Sequence, residues 1–166
     1  MGFLDKAKQF LGGKKMASVE ITVIERQPAK ESTFPVTDSV LKGTMVVTAQ
    51  QACTLLALKH EVWLHVKNEQ GVESPMLVVA EKYPDPNTSY TDDFVKMPAE
   101  LEPGQVITHP WLVTDVDLPR LLASAGISDP TSAVGNPRVR LSVKCIADVK
   151  GSPFDPSDEV DVRLIA

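Results

Sequence analysis

Three histidines, two cysteines and a late group of carboxylates are the residues of this 166-residue chain whose types could support chemistry. His60 and His65 stand five apart in one apolar stretch, and His109 precedes Pro110 in another. An odd separation along an extended strand sends two side chains to opposite faces, so His60 and His65 do not meet at one metal ion. Cys53 and Cys145 form no CxxC pair and follow no secretory signal, which reads as two reduced thiols in the cytosol. Cys145 lies in an apolar row and reads as a small core residue, while Cys53 as a nucleophile would need a base that the sequence does not place beside it. GxSxG, a phosphate-cradling glycine loop and HExxH are all absent, so the chain is read as non-catalytic and without a cofactor. Asp155, Asp158 and Asp161, with Glu159 among them, are the grouping that could hold a hard cation. They lack the glycine and closing glutamate of an EF-hand loop, and a solvated turn is the alternative. Tyr83, Asp85, Tyr90, Asp92 and Asp93 fall in YPDPNTSYTDDF, a long polar loop with two aromatic residues. Loops of this kind present binding residues, and this one is the candidate partner-binding loop; an ordinary exposed connection is its alternative.

The elements that must position these residues are mostly strands. SVEITVIE alternates Val19, Ile21 and Val23 on one side. Further strands are predicted over 40–48, 56–67 and 75–83. RVRLSVKCIADVK is the clearest: Val139, Leu141, Val143, Cys145, Ala147 and Val149 share a face, opposed by Arg138, Arg140, Ser142, Lys144 and Asp148, with Ile146 the exception. EVDVRLI closes the chain with Val160, Val162 and Leu164 inward. In the long strand Val62, Leu64 and Val66 share one face and Trp63 and His65 the other, so either both faces are covered or one meets a partner or the N-terminal helix; core packing is the reading for Trp63 and Trp111. LPRLLASAG at 118–126 has helical spacing and a glycine stop. Thirteen prolines and nine glycines mark turns elsewhere. Seven or eight strands with one-sided alternation predict an all-β protein, an antiparallel β-sandwich of immunoglobulin-like kind with one short helix in its body.

Charge divides the chain. Residues 1–15 carry four lysines against Asp5, a net +3, and the remaining 151 residues hold 13 basic and 21 acidic side chains, a net −8. The overall −5 excludes a dedicated nucleic-acid binder. No apolar run approaches the roughly 20 residues of a membrane span. In MGFLDKAKQFL, Phe3, Leu4, Ala7, Phe10 and Leu11 form one helical stripe, with Lys6 and Lys8 on the other side. Gly12-Gly13 stops this amphipathic helix and joins it to a single domain over 16–166. A helix of eleven residues is marginal alone in water. It therefore docks on its own domain, on a partner, or on an acidic membrane surface, and these three remain open.

The order of the strands resembles an arrestin-like domain of the bacterial sporulation-control type. DSVLKGTMVVTAQQACTLLALKHEVWLHVK resembles that family's second and third strands, and KMPAELEPGQVITHPWLVTDVDLP the edge that follows them. VRLSVKCIADVKG and FDPSDEVDVRLI resemble the paired final strands of one lobe. Members of the family carry two lobes in tandem, and this sequence covers one. Val36-Thr37 stand where a Pro-Gly-Asp turn is usual, with Asp38 in place, and nothing matches the buried Arg/Asp arrangement by which animal arrestins sense phosphate. The resemblance implies a scaffold or adaptor that binds partners by loops or strand edges.

The expected function is thus a non-catalytic cytoplasmic adaptor, at the membrane periphery if residues 1–15 dock there. The sandwich offers a surface to a protein partner and the N-terminal helix a second contact. Two other classes stay open: a self-assembling structural protein that pairs through sheet edges, and a metal-dependent binding sandwich using Asp155, Asp158 and Asp161.

Overall fold

A computed structural model describes residues 15–166. Ten strands follow in chain order: β1 (Ala17–Ile24), β2 (Gln27–Pro28), β3 (Thr33–Pro35), β4 (Leu41–Ala49), β5 (Cys53–Lys67), β6 (Glu73–Tyr83), β7 (Ala99–Leu101), β8 (Val106–Val113), β9 (Val139–Val149) and β10 (Ser157–Ile165). One helix, α1 (Leu118–Ser124), and two 3-10 turns, Ala29–Glu31 and Pro130–Ala133, complete them. The predicted N-terminal helix over 1–11 lies outside the described residues.

Two sheets face each other. One has the order β2-β1-β4-β8; the other runs β3-β10-β9-β5-β6, with β7 pairing the start of β5. Phe34, Leu41, Met45, Leu55, Leu64 and Leu141 lie fully buried between them. Each such side chain contributes about 1.5–3 kcal/mol through lost contact with water. The alternation of β9 is as the sequence predicts, with Leu141, Val143, Cys145, Ala147 and Val149 buried.

Local departures have local causes. The pairing of β1 with β4 shifts register between Ile21 and Val23, so Ile24 rather than Val23 turns fully inward. The long strand β5 begins at Cys53, three residues before the predicted start, because β7 pairs with it there. One ladder is not antiparallel. β3 runs parallel to β10, since the chain crosses from the first sheet to the second through the 3-10 turn Ala29–Glu31. α1 is capped by Asp117, whose side chain accepts the Arg120 N–H, and it stops before Gly126, which takes a φ of 87°. Leu118 and Leu122 on its inner face are fully buried.

Candidate functional site

Each sheet has an edge strand paired on one side only: β8 to β4 in the first, β6 to β5 in the second. Between these edges the sandwich opens into a cleft of about 610 Å³. Its floor begins at Gly43 on β4. A Cβ there would lie 2.4 Å from both the Trp111 ring and the Val23 carbonyl oxygen, so only glycine lets the indole rest flat on the strand. Trp111 sits opposite Gly43 in the β4–β8 ladder, and His109 opposite Met45.

The other wall comes from β5 and β6. His60 is the cross-strand partner of Cys145 on β9 and of Glu81 on β6, so these three share the inner face. His60 stacks on His109 at 5.5 Å between ring centroids and on Trp111 at 5.8 Å. Tyr83, Tyr90 and Phe94 continue the wall: Tyr83 lies 4.5 Å from His109 and 4.7 Å, edge-on, from Tyr90, and Phe94 lies 5.7 Å from His109. Six rings from four separated stretches of chain thus line one opening.

The connection between β6 and β7 is held in place by its own polar groups. The Tyr83 hydroxyl donates to the Val95 carbonyl. Asp85 accepts the Asn87 N–H at 2.9 Å and the Thr88 hydroxyl at 3.1 Å, while its own N–H donates to the Tyr90 hydroxyl at 3.1 Å. The carboxylate of Asp85 is therefore occupied in shaping the loop.

Burial controls the protonation of this wall. The His60 imidazole is pushed down to about 3, by loss of solvent and then by the neighbouring His109. His109 is pushed down to about 4, also by burial. Both rings are neutral at pH 7. Cys145 faces His60 Nδ1 at 3.7 Å, but burial, aided by Asp158, pushes its thiol well above the usual range. A cysteine nucleophile needs the opposite shift.

Of the five residues expected in a recognition loop, Tyr83, Asp85 and Tyr90 line the cleft, and Asp92 and Asp93 stand exposed away from it. The three aspartates considered for a metal go to separate tasks. Asp155 accepts the Val149 N–H, Asp158 the Ile21 N–H at 2.8 Å, and Asp161 the Arg140 guanidinium at 2.8 Å. Among the described residues no three acidic, histidine or cysteine side chains gather at a metal-binding spacing. Phe3, Leu4, Lys6, Ala7, Lys8, Phe10 and Leu11 lie outside the described residues. Sequence reasoning missed His60, Glu81, Phe94, His109 and Trp111 as site residues. A signal for His60 was present: a polar residue in register with the inward Val62 and Leu64.

The two packed sheets make a β-sandwich, and its arrestin-like fold is shared with a solved structure. The solved structure of Spo0M, a sporulation control protein from Bacillus subtilis, is similar to this chain, with a TM-score of 0.57 and 16% identity. The similarity covers 92% of this chain and 51% of that one, so this chain spans about half the length of Spo0M. No protein-family model and no curated protein matches the sequence. Among the described residues no helix is long and apolar enough to cross a membrane.

Proposed function

We propose that this chain is a non-catalytic adaptor that takes a side chain from a protein partner into the cleft between β6 and β8. The observation that carries the reading is the wall of six rings at an opening between two sheet edges, its titratable members held neutral by burial. Apolar walls with a few polar groups are the ordinary composition of a binding site. Side-chain insertion suits these edges better than strand addition, because Pro75 on β6 and Pro110 on β8 each remove a backbone donor. The same prolines weigh against assembly through these edges. The similarity to a sporulation control protein fits a regulatory role of this kind, and the basic, amphipathic residues 1–15 would add a second contact to a partner or a membrane surface.

The test is a displayed peptide library selected on the full chain and, in parallel, on a Tyr90→Ala/Phe94→Ala variant. Peptides enriched by the full chain and lost from the variant are expected. Enrichment that the variant leaves unchanged would put the binding surface elsewhere. A third selection on a chain lacking residues 1–13 reads the contribution of the N-terminal segment, expected as a drop in enrichment.

A further inference from the structure

The charges at the cleft sort by face. Lys82 lines the mouth, yet it pairs across the ladder with Lys59, between the inward neighbours Glu81 and Tyr83, so it belongs to the outer face. Lys42 pairs with the exposed Leu112 and precedes the inward Gly43, which places it on the outer face of the other sheet. Arg26 is exposed at the turn that joins β1 to β2. Asp85 spends both oxygens on its own loop. Glu81 differs from all of these. It stands on the inner row beside His60, it is half-buried, and among the described residues its carboxylate has neither a hydrogen bond nor an ion pair.

A half-buried carboxylate without an ion-pair partner, in a cleft whose more exposed rings are Tyr90 and Phe94, is complementary to a cation. The ring faces carry negative quadrupole charge, which attracts ammonium and guanidinium groups where water is partly excluded. A carboxylate then adds a charge-assisted hydrogen bond, bidentate for a guanidinium. The neutral imidazoles of His60 and His109 do not oppose an incoming positive charge. A body with a net charge of −8 over residues 16–166 favours the long-range approach of a basic segment, which then has to pass Arg26, Lys42 and Lys82 at the rim to reach Glu81.

We propose that the cleft receives a lysine or arginine side chain from a basic segment of the partner, with Glu81 as its counter-ion and the aromatic wall as its sleeve. This rests on the cleft being the partner site. The test uses the full chain with Trp63→Phe, which leaves Trp111 as the single indole. It is titrated with the capped peptide Gly-Ser-Arg-Ser-Gly and with forms carrying lysine, norleucine or glutamate at the central position, followed by Trp111 fluorescence and calorimetry. The arginine and lysine peptides are expected to bind at least about tenfold tighter than the norleucine peptide, a margin that Glu81→Gln removes and Tyr90→Ala reduces. Equal binding of the norleucine peptide, or an unchanged margin in Glu81→Gln, would overturn the cation assignment and leave the cleft as the partner site. No binding by any peptide, to the full chain or to one lacking residues 1–13, would overturn both. Binding of the basic peptides only after residues 1–13 are removed would make this chain's own basic segment the occupant and overturn the assignment to a partner.

Discussion

His60 and His65 lie on one strand, five residues apart, and live in opposite environments. His60 faces inward, 3% exposed, stacked against two rings of β8 and pushed by burial far below the ordinary imidazole range. His65 faces outward and is also buried, at 8% exposed, yet it is surrounded by charge. Its Nε2 lies 3.0 Å from the Ser142 hydroxyl, which donates to Glu159 at 2.7 Å, so Nε2 carries the proton in that chain of bonds. Its Nδ1 lies 3.8 Å from Glu73. Arg140 ties the same patch together, reaching Asp161 at 2.8 Å, Glu73 at 3.5 Å and Glu159 at 3.7 Å. One face of β5 thus holds a neutral aromatic wall and the other an ion network that links β6, β9 and β10. The contrast teaches that burial alone does not define a histidine's role; the neighbours supplied by the adjacent strands do.

Breaking the inner side should have the larger consequences. Gly43→Ala drives a methyl against the Trp111 ring and the Val23 carbonyl and is expected to cost about 3 kcal/mol, read as a lowered denaturation midpoint with altered Trp111 fluorescence. Acid should act on the same side. The folded values of His60 and His109, about 3 and about 4, lie below the ordinary 6.5, so as pH falls through 6.5 the unfolded chain takes up protons that the folded chain refuses. Stability is full above pH 6.5 and is lost as pH drops toward 4 and then 3, by at most about 1.4 kcal/mol per pH unit for each ring. His109→Phe, which keeps the ring packing, should flatten that loss in denaturant melts between pH 6.5 and 4. A variant as acid-sensitive as the parent would separate acid sensitivity from His109. The outer side should yield least: Arg140→Ala is expected to cost about 1 kcal/mol or less, shrinking further at high salt, because its carboxylate partners are partly exposed. A larger, salt-insensitive loss would erase the proposed difference between the faces.

Much of this comparison was legible in the sequence. The period-2 rows of β9, the opposite facing of His60 and His65, and the helix stop at Gly126 all follow from local pattern, because side-chain direction in a strand is fixed by the backbone repeat. The register shift in β1 was not legible, since a bulge depends on the partner strand. The aromatic lining of the cleft was half legible: two tyrosines in a polar stretch pointed to this loop, but Phe94 sits beyond the aspartates grouped with them.

The sequence by itself determined that the chain builds a sandwich, which residues of its regular strands such as β9 face the interior, and that its charge is split between a basic start and an acidic body. Only the tertiary structure decided that His60, Glu81, Tyr83, Tyr90, Phe94, His109 and Trp111 meet. They come from β5, β6, the loop after it and β8, and are joined by ladders and ring contacts between residues far apart in the chain. No local periodicity encodes which strand lies next to which. That choice belongs to the packing of whole sheets, and it turns a histidine in an apolar row into the centre of an aromatic-lined cleft.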